Sequence, residues 1–297
     1  MLETPSPQGQ PWPTYTKNQV IPLGKSIIVG AGVAGLSAGI YARLNGFDAT
    51  IYELHNIPGG EATAWTRKGY TFDNSIHWLL GTKEGTSLNA IWRRVGALGD
   101  DVSVTSLDTF FSMAPGAGLG ASEAAGAGAG AAGFAGGKHA DSQLTHVYTD
   151  ADRLREHFLS ISPEDAPAID SLVASIKALR RLAMPTDKPF ELMNPLDYAR
   201  LAMSMGPALK HVGRLTKISI GDLADTFRSP RLRAALRGSI PADFTAISLV
   251  STLATLWTGD SAWPAGGSLA LAKRMETRFL DLGGKVVYRA RVAEITE

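Results

Sequence analysis

Between Lys25 and Asp73 the residue order, KSIIVGAGVAGLSAGIYARLNGFDATIYELHNIPGGEATAWTRKGYTFD, leaves few folds open. An apolar β-type run, Ile27 to Val29, turns through Gly30, Gly32 and Gly35 and continues with Val33, Leu36, Ile40 and Leu44 at helical spacings of three and four. After Gly46 a second β-type run, Ala49 to Tyr52, ends in Glu53. Strand, glycine turn, helix, strand and acid in this order describe a βαβ dinucleotide site. Gly30 permits the tight turn, Gly32 lets a pyrophosphate come close to the backbone, and Gly35 lets the helix lie close to the sheet. A helix opening at Val33 and Ala34 turns free N–H groups and the positive end of its dipole toward the phosphates, so no basic side chain is required. Glu53, about 20 residues beyond the glycines, stands where an acid accepts hydrogen bonds from ribose hydroxyls. At this level the site suits NAD and FAD equally.

A chain of 297 residues with 44% hydrophobic content can build one large domain or two smaller ones. Its formal charge of +1 offers no field for steering nucleic acid, which is not expected as a partner. Cysteine is absent, which removes disulfides, thiolate nucleophiles and cysteine metal sites together and suits a reducing, cytoplasmic compartment. Residues 1–22 are polar and proline-rich, without the apolar core of a signal peptide, and read as a flexible leader. The most apolar window elsewhere, Ala246 to Trp257, falls short of the ~20 residues that span a bilayer, so no transmembrane helix is expected.

Beyond Glu53, Pro58, Gly59 and Gly60 form a turn in which two glycines allow close backbone approach or positive φ. Thr63 to Trp65 and Tyr70 to Phe72 then read as a hairpin around Arg67, Lys68 and Gly69. Together with the fingerprint and Glu53, these segments resemble the phytoene desaturase family of FAD-dependent oxidoreductases, which also includes carotenoid isomerases and retinol saturase-like enzymes. The resemblance is most specific over Lys25 to Thr82, and it shifts the choice of cofactor from NAD to FAD. It implies that Gly30, Gly32, Val33, Ala34, Gly35, Glu53, Gly59 and Gly60 bind FAD, and that the substrate is a hydrophobic polyene or isoprenoid. Many relatives carry Arg directly after the glycine pair; this chain has Glu61, and Arg67 or Lys68 is the candidate to compensate. His77, flanked by Ile76 and Trp78, is the candidate catalytic residue, lining the substrate cavity, or else a hydrogen-bonded packing histidine.

Downstream, Leu88 to Leu98 read as a helix, and Val102 to Val104 and Thr109 to Met113 as strands. The first part of the FAD-binding domain is therefore placed at 23–113, followed by a Gly/Ala-rich disordered linker at 114–142. Residues 143–259 read as a mainly helical substrate or lid region. Within it, Arg200, Lys210, Arg214 and Lys217 lie among apolar residues. Either this segment rests in a membrane interface as a peripheral contact, or a helix pair interrupted at Gly206 and Pro207 covers a cavity with its basic side in water. Asp222, Asp225 and Asp243 are too scattered for a metal or a carboxylate pair, and no metal is expected. Residues 260–297 return to the FAD-binding domain: WPAGG, a helix through Leu269, Leu271, Met275 and Phe279, then strands at Lys285 to Tyr288 and Arg291 to Ile295. This is similar to the segment with which the family's inserted region rejoins its first domain.

The expected fold is therefore α/β, a Rossmann-type FAD-binding domain with an inserted, mainly helical substrate domain. Members of the family continue further, so the resemblance also implies a missing C-terminal segment or a second polypeptide. The expected activity is hydride transfer at a C–C bond of the polyene. The alternatives are a flavoprotein oxidising amines or another small molecule, and a truncated, non-catalytic nucleotide-binding fragment.

Overall fold

The computed structural model describes residues 23–73, 75–114, 144–180, 186, 188, 190–206 and 208–296. The expected leader lies outside these residues, as does the linker but for residue 114. The chain divides into two compact units, one formed by residues up to Thr105 and from Trp263 onward, the other by Ser106–Ala262.

In the first unit, β1 (Lys25–Val29) passes through the glycine turn into α1 (Val33–Leu44) and then β2 (Asp48–Tyr52). β2 is the middle strand of a parallel sheet of order β1, β2, β10, where β10 is Lys285–Val287. The register sets Ile28 beside Ile51 and Val29 beside Tyr52, with Val287 on the other flank of Tyr52. Side chains alternate across a strand. Ile28, Ala49 and Ile51 therefore meet Leu36 and Ile40 of α1 and Leu271, Met275 and Phe279 of α10 (Gly267–Asp281) in one core. That packing is tight enough to dictate glycine at two distant positions. A Cβ on Gly39 would come within 2.9 Å of the Phe279 ring, and one on Gly284 within 2.3 Å. On the opposite face Ile27 and Val29 are 71% and 55% exposed, although parallel sheets are ordinarily covered on both sides.

The hairpin forms as β3 (Ala64–Arg67) and β4 (Tyr70–Asp73), with Lys68 and Gly69 both at positive φ in its turn. Such a two-residue turn matches the twist of the flanking strands. β5 (Leu79–Leu80) follows. α2 covers Ser87–Arg94 and ends before the expected Leu98. There Gly96, at φ 74°, donates to Arg93 O at 3.1 Å and Ala97 N to Trp92 O at 2.9 Å, a Schellman closure that stops the helix. β6 (Val104–Thr105) pairs antiparallel with Trp263 and Pro264 of β9 (Ser261–Pro264).

The second unit begins with β7 (Thr109–Met113), which pairs with β8 (Thr145–Tyr148). β7 thus leaves the first unit, contrary to the boundary expected at 113, because its hydrogen-bonding partner lies in the inserted segment. α3 (Ala151–Ile161), α4 (Ala166–Leu179), α5 (Pro195–Met205), α6 (Ala208–Leu215), α7 (Ile220–Asp225), α8 (Pro230–Ser239) and α9 (Ala246–Trp257) follow. The apolar run of α9 goes into the core: Leu249, Val250, Leu253 and Ala254 are fully buried with Phe158, Ile169, Ile176 and Leu236. Among the described residues no helix is long and apolar enough to cross a membrane. One expected strand does not form. The backbone of Ala290 donates to Glu53 O and that of Arg289 to His55 O, after which residues 291–296 run on without strand pairing.

Candidate dinucleotide site

The three fingerprint glycines stand in three different local situations. Gly30 sits at φ 95°, a conformation open to glycine and costly for other residues, although a Cβ there would meet nothing within 4 Å. Gly35 is a matter of space, since a Cβ would lie 2.0 Å from Gly30 O. Gly32 is neither. Its φ of −66° and ψ of 172° suit any residue, and the nearest atom to an added Cβ is Gly59 O at 3.9 Å. Neither the backbone angle nor a Cβ clash requires glycine at that position.

Gly32 is also the N-cap of α1, without a side-chain cap, and the helix's first turn, which holds Val33, Ala34 and Gly35, has no acid. The leading N–H groups of such a helix have no partner within it. The second glycine pair packs directly against this turn. Gly59 N donates to Ala31 O at 2.8 Å, Gly32 and Gly59 form a parallel bridge, and a Cβ on Gly60 would stand 3.4 Å from the Gly32 Cα. Gly59 holds φ 115° and is buried, so the loop from Pro58 to Gly60 is fitted to the first turn by backbone alone.

Glu53 completes the group. It is buried, and its Oε2 accepts from Ala31 N at 2.6 Å while Oε1 accepts from His55 N at 2.7 Å. The carboxylate therefore fixes the glycine turn as well as facing the site, and each oxygen keeps acceptor capacity for a hydroxyl. Nearby, the Tyr288 hydroxyl donates to Glu276 Oε1 at 2.6 Å, and burial together with that bond raises its pKa above the usual tyrosine value.

Gly30, Gly32, Val33, Ala34, Gly35, Glu53, Gly59 and Gly60 thus converge on one region. Arg67 does not join them through the backbone. It is exposed at the turn end of β3, about 10 Å along the strand from Ala64. Glu61 is exposed beside Gly60. His77 is exposed, its ring 6.1 Å from that of Trp78.

Two arrangements escaped the sequence reading. Asp73, at the end of β4, accepts from Ser268 N at 2.6 Å and from the Ser268 hydroxyl, and so caps α10. A Cβ on Gly267 would lie 2.1 Å from Asp73 Oδ2, which is why the second glycine of WPAGG is needed. The Ser268 hydroxyl also accepts from Ile76 N at 2.9 Å. The fingerprint region and the distant WPAGG segment are thereby joined through one carboxylate. In the second unit, Ser112 Oγ lies 2.9 Å from His146 Nδ1, and His146 N donates to His157 Nε2 at 3.0 Å. Tyr148 stacks on His146, with Arg153 3.8 Å above the tyrosine ring.

Residues 28–95 match the family described as an NAD(P)-binding Rossmann-like domain. The chain is 23% identical over 287 residues to a lycopene-forming phytoene desaturase of Paracoccus sp., a match covering 91% of this chain and 49% of that protein. A lycopene-forming phytoene desaturase of Pseudescherichia vulneris is likewise 23% identical, over 92% of this chain and 50% of its own length. Prolycopene isomerase of Daucus carota is 29% identical over 92 residues, 29% of this chain and 15% of the isomerase. The fold is similar to that of a putrescine oxidase variant with redesigned cofactor binding, at TM-score 0.50 and 17% identity, covering 90% of this chain and 51% of that one. The resemblance to the carotenoid desaturase group and the Rossmann-like α/β class expected from the sequence both hold. The chain spans about half the length of the phytoene desaturases it matches.

Proposed function

We propose that this chain is the FAD-binding portion of an oxidoreductase that transfers hydride at a C–C bond of a hydrophobic polyene or isoprenoid. The observation that carries the cofactor is the meeting of Gly32, at the start of α1 with no side-chain cap, with the Gly59–Gly60 turn and with Glu53 bonded to Ala31. The N–H groups at Val33 and Ala34 would hold the pyrophosphate, with the α1 dipole in place of a cation. Glu53 would accept from ribose hydroxyls while retaining its bonds to Ala31 and His55. Gly59 and Gly60 would bound the cofactor from the other side, keeping side chains out of its path. FAD, when bound, supplies the hydride-accepting chemistry, and the protein's part is to bind and orient. The substrate class rests on the similarity to phytoene desaturases over nine-tenths of this chain.

The test pairs a flavin readout with a stability readout. Purified or FAD-reconstituted chain is expected to show flavin absorption bands that are lost in Gly32→Val. The thermal midpoint of the FAD-free variant should fall by no more than the loss of a favourable N-cap residue, about 1 kcal/mol, because an added Cβ makes only an ordinary contact with Gly59 O at 3.9 Å. Colourless protein that cannot be reconstituted, or bands that persist in Gly32→Val, would overturn the cofactor reading. Anaerobic bleaching of the bound flavin by an acyclic polyene tests the substrate class separately.

A further inference from the structure

The carboxylate of Asp73 ties two stretches of backbone to one charged group. Its Oδ2 accepts from Ser268 N at 2.6 Å, and its Oδ1 accepts from the Ser268 hydroxyl and from Ser75 N at 3.1 Å. The same hydroxyl accepts from Ile76 N at 2.9 Å, so the chain leaving β4 and the start of α10 are held together on both sides of the serine. Gly266, the N-cap of α10, has no side chain with which to cap it. Asp73 supplies that cap from another element, and its negative charge suits the positive end of the helix dipole.

What α10 touches gives this anchor its consequence. Ala272, one turn beyond Ser268, is buried, and a Cβ on Gly59 would come within 3.1 Å of the Ala272 Cβ. Two turns further along, the Phe279 ring closes on Gly39 of α1, where a Cβ would lie 2.9 Å away. One helix thus bears on the Gly59–Gly60 turn and on α1, the two parts of the candidate dinucleotide site that bridge at Gly32 and Gly59. A shift of α10 by one residue, about 1.5 Å along its axis, would carry Ala272 past Gly59, which has no side chain to follow it. We infer that Asp73 is a positioning residue for this site: by fixing the start of α10 it sets where Ala272 supports the Gly59–Gly60 turn against α1. The effect on FAD affinity rests on the cofactor reading above, and the effect on the turn does not.

Hydrogen exchange of the full chain without flavin is the first measurement. Asp73→Asn keeps the volume but removes the charge and puts an NH2 group where an acceptor is needed. The Gly59 amide, bonded to Ala31 O at 2.8 Å, should then exchange roughly tenfold faster, the factor that corresponds to one hydrogen bond to a charged group. Ser268→Ala, which keeps the N–H but loses the hydroxyl, should fall between Asp73→Asn and the parent, and it carries the comparison if Asp73→Asn does not fold. Thr86→Ala removes the N-cap of α2 in the same unit and should leave Gly59 at the parent's rate. In titrations with FAD, the dissociation constant should rise roughly tenfold in Asp73→Asn and stay unchanged in Thr86→Ala. Faster exchange at Ser268 with none at Gly59 would make Asp73 a local cap and overturn the inference. An equal response to Thr86→Ala, or undiminished FAD affinity in Asp73→Asn, would overturn it as well. A parent that binds no FAD, while Gly59 still responds to Asp73→Asn, would defeat the cofactor reading and leave the positioning role standing.

Discussion

Gly30, Gly32 and Gly35 are one residue type in three situations: a backbone angle that favours glycine, a position that neither angle nor a Cβ clash restricts, and a carbonyl too close for a Cβ. Their variants should therefore separate. Gly35→Ala drives a methyl group to within 2.0 Å of Gly30 O, and backbone at the turn has little room to retreat. Its cost should lie near the top of the overpacking range, about 3 kcal/mol, read as a lowered urea midpoint. A midpoint for Gly35→Ala equal to that of Gly32→Val would show that the turn relaxes and that the distinction fails. The fingerprint was legible because its spacing is local and each residue's neighbours are fixed by the turn. Asp73 was not. Its carboxylate meets Ser268 across 195 positions of sequence, and nothing in a short window distinguishes an acid that ends a strand from one that caps a remote helix.

At the scale of elements, the meeting of β7, β8 and α3 gathers His146, His157, Tyr148 and Arg153, with Arg231 of α8 bonded to Thr145. Burial first, then the charges of His146, Arg231 and Arg153, hold His157 below the ordinary histidine value of 6.5. His211 of α6 is held down likewise, by burial and by Arg214 and Lys210. In the unfolded chain both histidines take a proton near pH 6.5, and in the folded chain only at lower pH. Unfolding therefore takes up protons in that interval, and stability falls as pH drops below about 6.5. The carboxylates with lowered values, Asp150, Asp165, Asp197 and Asp222, titrate from 3.8 downward and do not contribute there. Urea midpoints should decline between pH 7.5 and 5.5 and decline less in His157→Gln, whose amide oxygen can still accept from His146 N. A pH-independent midpoint, or identical slopes, would refute the assignment. Periodicity found the helices of this region, but strand signals failed at Arg291 to Ile295. That segment is anchored at Arg289 and Ala290 to backbone carbonyls of the residues after β2 and runs on unpaired.

For the whole molecule, the division into a discontinuous first unit and a continuous second one follows from strand pairing. β10 completes the sheet on β2, whereas the described residues between Ser106 and Ala262 include a core of their own. Composition could signal the inserted segment, but only the pairing of β7 with β8 fixed where it starts. Residues 106–262 expressed alone should show helical circular dichroism and one cooperative thermal transition, and a featureless melt would deny the segment its independence. The chain leaves the first unit at Thr105 and returns at Trp263, and these two residues are cross-strand partners. An insertion entered and left through one rung of a ladder can be exchanged for a tight turn without moving either end. The same layout sets a clock on the ribosome. The second unit has all its residues once Ala262 has emerged, while β1, α1 and β2 must wait for Val287 before their sheet can close. The unit begun second is therefore complete first.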